Sequence, residues 1–241
     1  MKLISWNCNG AFRNKYHALN DFNADIWVIP ESESHAYLGR HNSPLQSVSG
    51  LWCGNNHSKG LGVFAFNGYH IRTADFFNPE FKYILPVTVT APDNTEFLLI
   101  AVWASRVQAN PDWDYIGQLC YFMEHYASYL TPNTILVGDF NINMLWNKSF
   151  KKEHNYTRFL ELCRENGFCS LYHELTQQPQ GQETAYTSYF HRNPLRGFHI
   201  DYAYLNQQQL PNVKSFKIHG CEWLAFSDHT VLELELSPPA K

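Results

Sequence analysis

Thr134-Ile135-Leu136-Val137-Gly138-Asp139-Phe140-Asn141-Ile142-Asn143 decides how this chain is read. Its opening run is apolar and rich in β-branched residues and follows the turn residues Thr131-Pro132-Asn133, which predicts a short buried strand. Gly138 is expected to break that strand, and a carboxylate and two carboxamides come directly after it. Asn141 stands two residues beyond Asp139 and so shares its side of an extended backbone. The pattern sets a base or metal ligand beside a neutral hydrogen-bond donor. Read alone, it is better explained as an Asx-rich turn whose side chains bond their own backbone. Recurrence gives it weight, because similar polar clusters close other apolar runs along the chain.

The N-terminal strand, Lys2 to Trp6, runs into Asn7-Cys8-Asn9-Gly10, where Asn7 and Asn9 share one face of an extended chain and Gly10 permits a turn. A helix over about 13–22 follows. Asp25 to Ile29 reads as a second buried strand, ending in Pro30-Glu31-Ser32-Glu33, so that Glu31 is either a solvated loop residue or a metal ligand. Residues 34–59 show little periodicity and read as a surface loop over the strand ends. Strands are expected at 61–66, 83–90 and 96–103, with Ala91-Pro92-Asp93-Asn94 as the hairpin turn between the last two. Amphipathic helices fit 111–130 and 155–165, the second closed by Asn166-Gly167. Strands are then expected at 168–172, 185–190, 199–205, 213–218 and 230–236.

Two further clusters lie in this half. In His199-Ile200-Asp201-Tyr202, His199 and Asp201 point to one side of a strand, and a carboxylate inside a strand needs a partner. Ser227-Asp228-His229 supplies an imidazole. Asp201 beside His229 would fix the tautomer and raise the proton affinity of the ring, giving an acid-base dyad.

Composition bounds the rest. The 241 residues are 44% hydrophobic and 16% aromatic, enough to fill a large core, and residues 1–241 are expected to form one domain. No apolar run is long enough to span a bilayer and the N-terminus turns polar early, which points to a soluble, cytoplasmic protein without a membrane partner. The six cysteines, Cys8, Cys53, Cys120, Cys163, Cys169 and Cys221, contain no Cys-x-x-Cys pair and read as reduced structural thiols. A net charge of −4 argues against a passive nucleic-acid binder, though less against a nuclease, whose bound cations change the local field.

Taken in order, Trp6-Asn7-Cys8-Asn9-Gly10, Glu31, Gly138-Asp139-Phe140-Asn141, His199-Ile200-Asp201-Tyr202 and Ser227-Asp228-His229 resemble the motifs of the endonuclease/exonuclease/phosphatase superfamily, which includes exonuclease III and deoxyribonuclease I. The resemblance covers nearly the whole chain. It implies an α/β four-layer sandwich: two mixed β-sheets packed face to face, flanked by helices, with the active site where loops meet at one edge. It also implies Mg²⁺- or Mn²⁺-dependent hydrolysis of a phosphoester. Matched motif by motif, Glu31 would be the main metal ligand, helped by Asn9 and Asp228. Asn7 and Asn141 would hydrogen-bond phosphate oxygens, Asp139 would orient or deprotonate the attacking water, and His229, held by Asp201, would stabilise charge as the leaving oxygen departs.

Two positions depart from the pattern. Where exonuclease III-like members usually carry a Tyr and deoxyribonuclease I-like members a His, this sequence has Trp103, so that Arg106, Tyr115 or another side chain would have to contact the phosphate. The usual Arg before Ile-Asp-Tyr is His199. Trp52, Trp103, Trp113 and Trp146 fall near proposed loops, where they would stack on unpaired bases or pack in the core. The expected substrate is nucleic acid, DNA before RNA, with a small phosphoester as the alternative and an inactive binding module as the reading of another class.

Overall fold

The structure, a computed structural model, describes residues 1–107 and 110–237. In chain order its strands are β1 (Lys2–Ser5), β2 (Ile26–Ser32), β3 (Ser49–Asn56), β4 (Lys59–Ala65), β5 (His70–Thr73), β6 (Ile84–Thr90) and β7 (Glu96–Trp103). They continue with β8 (Thr134–Asp139), β9 (Phe168–Ser170), β10 (Ser188–Tyr189), β11 (Gly197–Phe198), β12 (Asp201–Asn206), β13 (Val213–Ile218) and β14 (Leu232–Leu236). The α-helices are α1 (His35–Arg40), α2 (Ile116–Tyr126), α3 (Tyr156–Glu165) and α4 (Leu171–Thr176).

Two six-stranded sheets have the orders β13-β14-β1-β2-β4-β3 and β5-β6-β7-β8-β12-β9. Each is mixed, with one parallel pair, β1 with β2 and β7 with β8, among otherwise antiparallel neighbours. Strands covered on both faces read as continuous apolar runs, and β7 shows how. Its Leu99 and Ala101 join Leu3, Val28, Val63, Val137 and Leu234 in the core between the sheets. The alternate residues Ile100 and Val102 face outward against Ile116, Leu119 and Phe159 of α2 and α3. The outer face of the other sheet packs Ile4, Trp6, Trp27 and Phe64 against Phe12, Leu19 and Trp223. The result is the four-layer sandwich of two mixed sheets flanked by helices. No helix among the described residues is long and apolar enough to cross a membrane.

Several local expectations are corrected. The helix at 13–22 is instead a pair of 3₁₀ turns, Phe12–Asn14 and Tyr16–Phe22, because only Phe12 and Leu19 are buried, too few apolar contacts to hold a continuous α-helix. The supposed loop 34–59 contains α1, capped by Ser34 Oγ accepting from Tyr37 N, a 3₁₀ turn and the edge strand β3. The strand at 168–172 ends at Ser170 and turns into α4, and the one at 185–190 pairs only through Ser188 and Tyr189. The hairpin at 91–94 forms as expected, with Asn94 N donating to Ala91 O at 2.9 Å.

Gly138 does not break β8; the strand runs through it to Asp139. It has φ +144°, and a Cβ there would lie 1.9 Å from Val102 O on the neighbouring parallel strand, so glycine is what allows β7 and β8 to close on each other beside Asp139. Gly138→Ala is expected to destabilise the fold by about 3 kcal/mol, lowering Tm by roughly 5–10 °C in thermal denaturation. An unchanged Tm would contradict so close an approach.

Candidate active site

Parallel pairing at the centre of each sheet brings four strand ends to one edge of the sandwich. β1 leads to Asn7, β2 carries Glu31 near its end, β7 ends at Trp103 and β8 at Asp139. The antiparallel neighbours start from the same edge. Asp201 opens β12 opposite Asp139, and His229 precedes β14. Residues far apart in sequence therefore meet at one place.

Asn7 and Asp139 each close an Asx turn: Asn7 Oδ1 accepts from Asn9 N at 2.9 Å and Asp139 Oδ1 from Asn141 N at 2.9 Å. Local turn and shared site are both present. Asn9 and Asn141 adopt left-handed φ of 53° and 51°, so neither continues the extended backbone expected after Asn7 and Asp139, and Asn141 meets Asp139 through the turn instead. Asp139, only 1% exposed, also accepts at Oδ2 from Asn7 Nδ2 (2.9 Å) and Asn141 Nδ2 (3.0 Å). The remaining amide protons are used too. Asn7 Nδ2 reaches Glu31 Oε1 at 3.4 Å and Asn141 Nδ2 reaches Ala104 O at 3.0 Å. Both carboxamides thus donate to the Asp139 carboxylate.

Asp201 Oδ2 lies 2.8 Å from His229 Nδ1, and both side chains are buried. The pair is held from behind. Thr187 Oγ1 accepts from Ile200 N and Asp201 N at 3.0 and 2.9 Å, while Ser227 Oγ donates to Asn7 O at 2.7 Å and accepts from His229 N at 3.0 Å. On the open side, Ser188 Oγ is 3.2 Å from His229 Nε2. Burial pulls the His229 pKa down, but the charge and hydrogen bond of Asp201, with the charges of Asp139 and Asp228, outweigh it and push it up to about 10. Burial, then the charge of Asp201, raises the Asp139 carboxyl to about 7 against the opposing His229 charge and the Asn7 and Asn141 hydrogen bonds. Ligand atoms of Asp139, Asp201 and His229 lie within 4.8 Å of one another.

Glu31 occupies a β-bulge. The β2–β4 register passes from Pro30 opposite Leu61 to Ser32 opposite Gly60, leaving Glu31 as the extra residue with φ 65°. A left-handed conformation at a non-glycine residue costs energy and is retained where it re-aims a side chain, here toward the Asn7 amide. Lys59 Nζ contacts Glu31 Oε2 at 2.8 Å. Asn9 and Asp228 line one pocket of about 740 Å³, which Ser188 and Ile200 also floor. Its walls carry Trp146, Phe190, Arg192 and Arg196.

This architecture has counterparts among solved structures. It superposes on an AP endonuclease from Leishmania major with a TM-score of 0.73 at 15% identity, covering 99% of this chain and 88% of that one. An AP endonuclease from Archaeoglobus fulgidus gives 0.72 at 15% identity, covering 99% and 100%. The 3'-5' exonuclease NExo from Neisseria meningitidis gives 0.70 at 17%, also covering 99% and 100%. The chain has the endonuclease/exonuclease/phosphatase fold. NExo is also described as a 3' phosphatase bound to a product DNA hairpin. The sequence matches no protein-family model and no curated protein.

Within the endonuclease/exonuclease/phosphatase fold, the positions that depart from the motif pattern behave differently from one another. Trp103 is 8% exposed and stacks on Tyr83 at 5.2 Å, so its ring is packed rather than presented. Arg106 is exposed and bonds Asp114 at 3.3 Å, and Tyr115 is tied through its backbone N–H to Ser105 O; among the described residues neither bonds Asp139 or His229. His199 is buried and donates from Nδ1 to Ala185 O at 2.8 Å, with burial lowering its pKa to about 4, so it is a neutral support in place of an arginine. Trp113 packs on Phe81 and Trp52 on His57, which leaves Trp146, against Phe198, as the tryptophan of the four that lines the pocket. Sequence reasoning passed over Lys59, Thr187 and Ser188. Isolated polar residues in weakly patterned segments carry no signal of their own.

Proposed function

We propose that this chain is a Mg²⁺- or Mn²⁺-dependent nuclease that hydrolyses phosphodiester bonds, with DNA as substrate. The observation that carries the reading is the network joining Glu31, Asn7, Asp139, Asn141, Asp201 and His229 at one edge of the sandwich. Asp139, raised to about 7, is tuned to take a proton from water near neutral pH. Asn7 and Asn141 hold its carboxylate in place. His229, protonated and aligned by Asp201, donates toward the phosphate and neutralises charge on the leaving oxygen.

The donor set suits a hard divalent ion on the Glu31 side. Burial and then the charge of Asp201 raise the Asp139 pKa, and Glu31 already draws a cation, the Lys59 ammonium. Asp139, Asp201 and His229 are close enough to hold an ion, but His229 Nδ1 is spent on Asp201 and Asp139 accepts three hydrogen bonds. Glu31, with Asp228 and Asn9, would therefore hold the ion. When bound it supplies Lewis-acid polarisation of the phosphoryl group. Glu31→Gln keeps shape but removes the anionic ligand, and is expected to weaken Mg²⁺ affinity roughly tenfold or more in a calorimetric titration. Unchanged affinity would remove Glu31 from the ion's site.

Nucleic acid is favoured over a small phosphoester by the pocket beside the site, where Arg192 and Arg196 stand among the aromatic rings of Trp146, Phe190 and Phe198. Cations beside exposed aromatics suit a phosphate backbone with bases to stack. Residues 1–241 are taken as one catalytic domain. The deciding assay incubates the protein with Mg²⁺ or Mn²⁺ and a panel of plasmid, linear duplex, single-stranded DNA, RNA and inositol phosphates. Cleavage of DNA in the presence of the ion is the expected result; hydrolysis confined to small phosphoesters, or none, overturns it.

A further inference from the structure

Lys59 opens β4, and the bulge at Glu31 sets the two side chains against each other at the edge where the sheets meet. The ammonium is 2.8 Å from Glu31 Oε2 and 5.6 Å from the Trp103 ring centroid, and the Lys59 side chain is 47% exposed. Glu31 belongs to one sheet and Trp103 to the other, where it pairs in register with Asp139. Lys59 therefore bridges the two halves of the site. It stands at the place where Trp103 offers a phosphate neither a hydroxyl nor an imidazole, and where, among the described residues, Arg106 bonds Asp114 and Tyr115 bonds Ser105 rather than Asp139 or His229.

We infer that Lys59 is a phosphate-binding residue whose ammonium is parked on Glu31 until a divalent ion takes that carboxylate. The inference rests on the proposed reading of Glu31 as a ligand of the ion. One carboxylate cannot serve an ammonium and a divalent cation equally, because like charges meeting at the same oxygens repel. The pair is open to solvent on its lysine side, Lys59 being 47% and Glu31 15% exposed, and a solvent-screened ammonium is exchangeable. The Trp103 face keeps the released ammonium near the site by cation–π attraction, and the flexible four-carbon stem lets it swing to an incoming phosphate oxygen. Ion binding thus frees the cation that grips the substrate, coupling the two events through a single side chain.

Lys59→Met keeps the stem and removes the charge, and Lys59→Arg restores it. Mn²⁺ titration of the protein alone, followed by calorimetry, is expected to give three- to fivefold tighter binding for Lys59→Met, as fits removal of a competing exposed ion pair, roughly 0.5–1 kcal/mol. The gain should vanish in a Glu31→Gln background, because the pair no longer exists there. On an oligonucleotide substrate, KM should rise about tenfold in Lys59→Met with a smaller change in kcat, and Lys59→Arg should recover most of the loss. Both changes are required. Ion affinity that stays the same or weakens, or a KM that does not move, overturns the proposal. The titration needs no turnover, so a protein without nuclease activity would fail the functional reading while the ion measurement still judged Lys59.

Discussion

Asp139→Asn is expected to lower kcat by about a thousandfold, within the range general-base catalysis commonly supplies, with a much smaller change in KM. The carboxylate is only 1% exposed and is held by Asn7 Nδ2, Asn141 Nδ2 and Asn141 N, so its orientation is fixed before substrate arrives. Asparagine preserves shape but cannot accept the proton. Its amide would face the donors of Asn7 and Asn141 across the former Oδ2, costing about 1–3 kcal/mol, while removal of a buried repelled charge offsets part of that. The pH dependence of stability separates function from folding. Because folding raises this carboxyl from 3.8 to about 7, the folded state holds the proton more tightly, and stability from this group is lost as pH rises through that window. The wild-type chain should lose stability over that interval and Asp139→Asn should not. Circular dichroism with single-turnover rates on the same preparations checks this. Loss of rate accompanied by loss of secondary structure would make Asp139 a folding residue instead.

The edge of the sandwich was legible because a carboxylate or carboxamide directly after an apolar run stands out against the strand it ends. Asn7, Glu31 and Asp139 were found in this way, and Asp201 as a carboxylate inside a strand. Their partnership was much less visible. Asn7 and Asp139 are 132 positions apart, and only parallel pairing in both sheets brings their ends together. Backbone geometry misled where φ turns left-handed, as at Asn9, because period-two alternation fails there. The bulge that inserts Glu31 and sets it against Lys59 carries no signal in the sequence. Edge strands were the poorest read. Half-exposed β3, with Gly, Cys and Asn along it, lacks the alternation of a strand with one wet face, and β5 is only four residues long. Central strands such as β7, buried on both faces, were read to the residue.

Asp201→Asn should move the whole pH-rate profile toward acid, because Asp201 raises the pKa of both groups that bound it. Asp139 must be ionised to act, so activity appears as pH rises through about 7; His229 must be protonated, so activity is lost as pH rises through about 10. Without the Asp201 charge, burial dominates at His229 and its pKa falls toward or below the model value of ~6.5, while Asp139 loses the like charge that raised it. At pH 8 the variant's imidazole is neutral, and a hundredfold or larger loss in kcat is expected, partly recovered below about pH 6. A readout without turnover exists as well. The stability His229 gains from its partners is complete below ~6.5 and lost as pH rises from there to about 10, and this loss should be absent from the thermal stability of His229→Ala. The double variant Asp201→Asn/His229→Ala should be little worse than either single one, since a carboxylate 2.8 Å from Nδ1 acts on the phosphate only through the ring it holds. Additive losses would break the dyad. Asp201 would then be a fold-supporting residue at the start of its strand, where Thr187 Oγ1 accepts from its backbone N–H and that of Ile200, and His229 would act on the phosphate without an orienting partner.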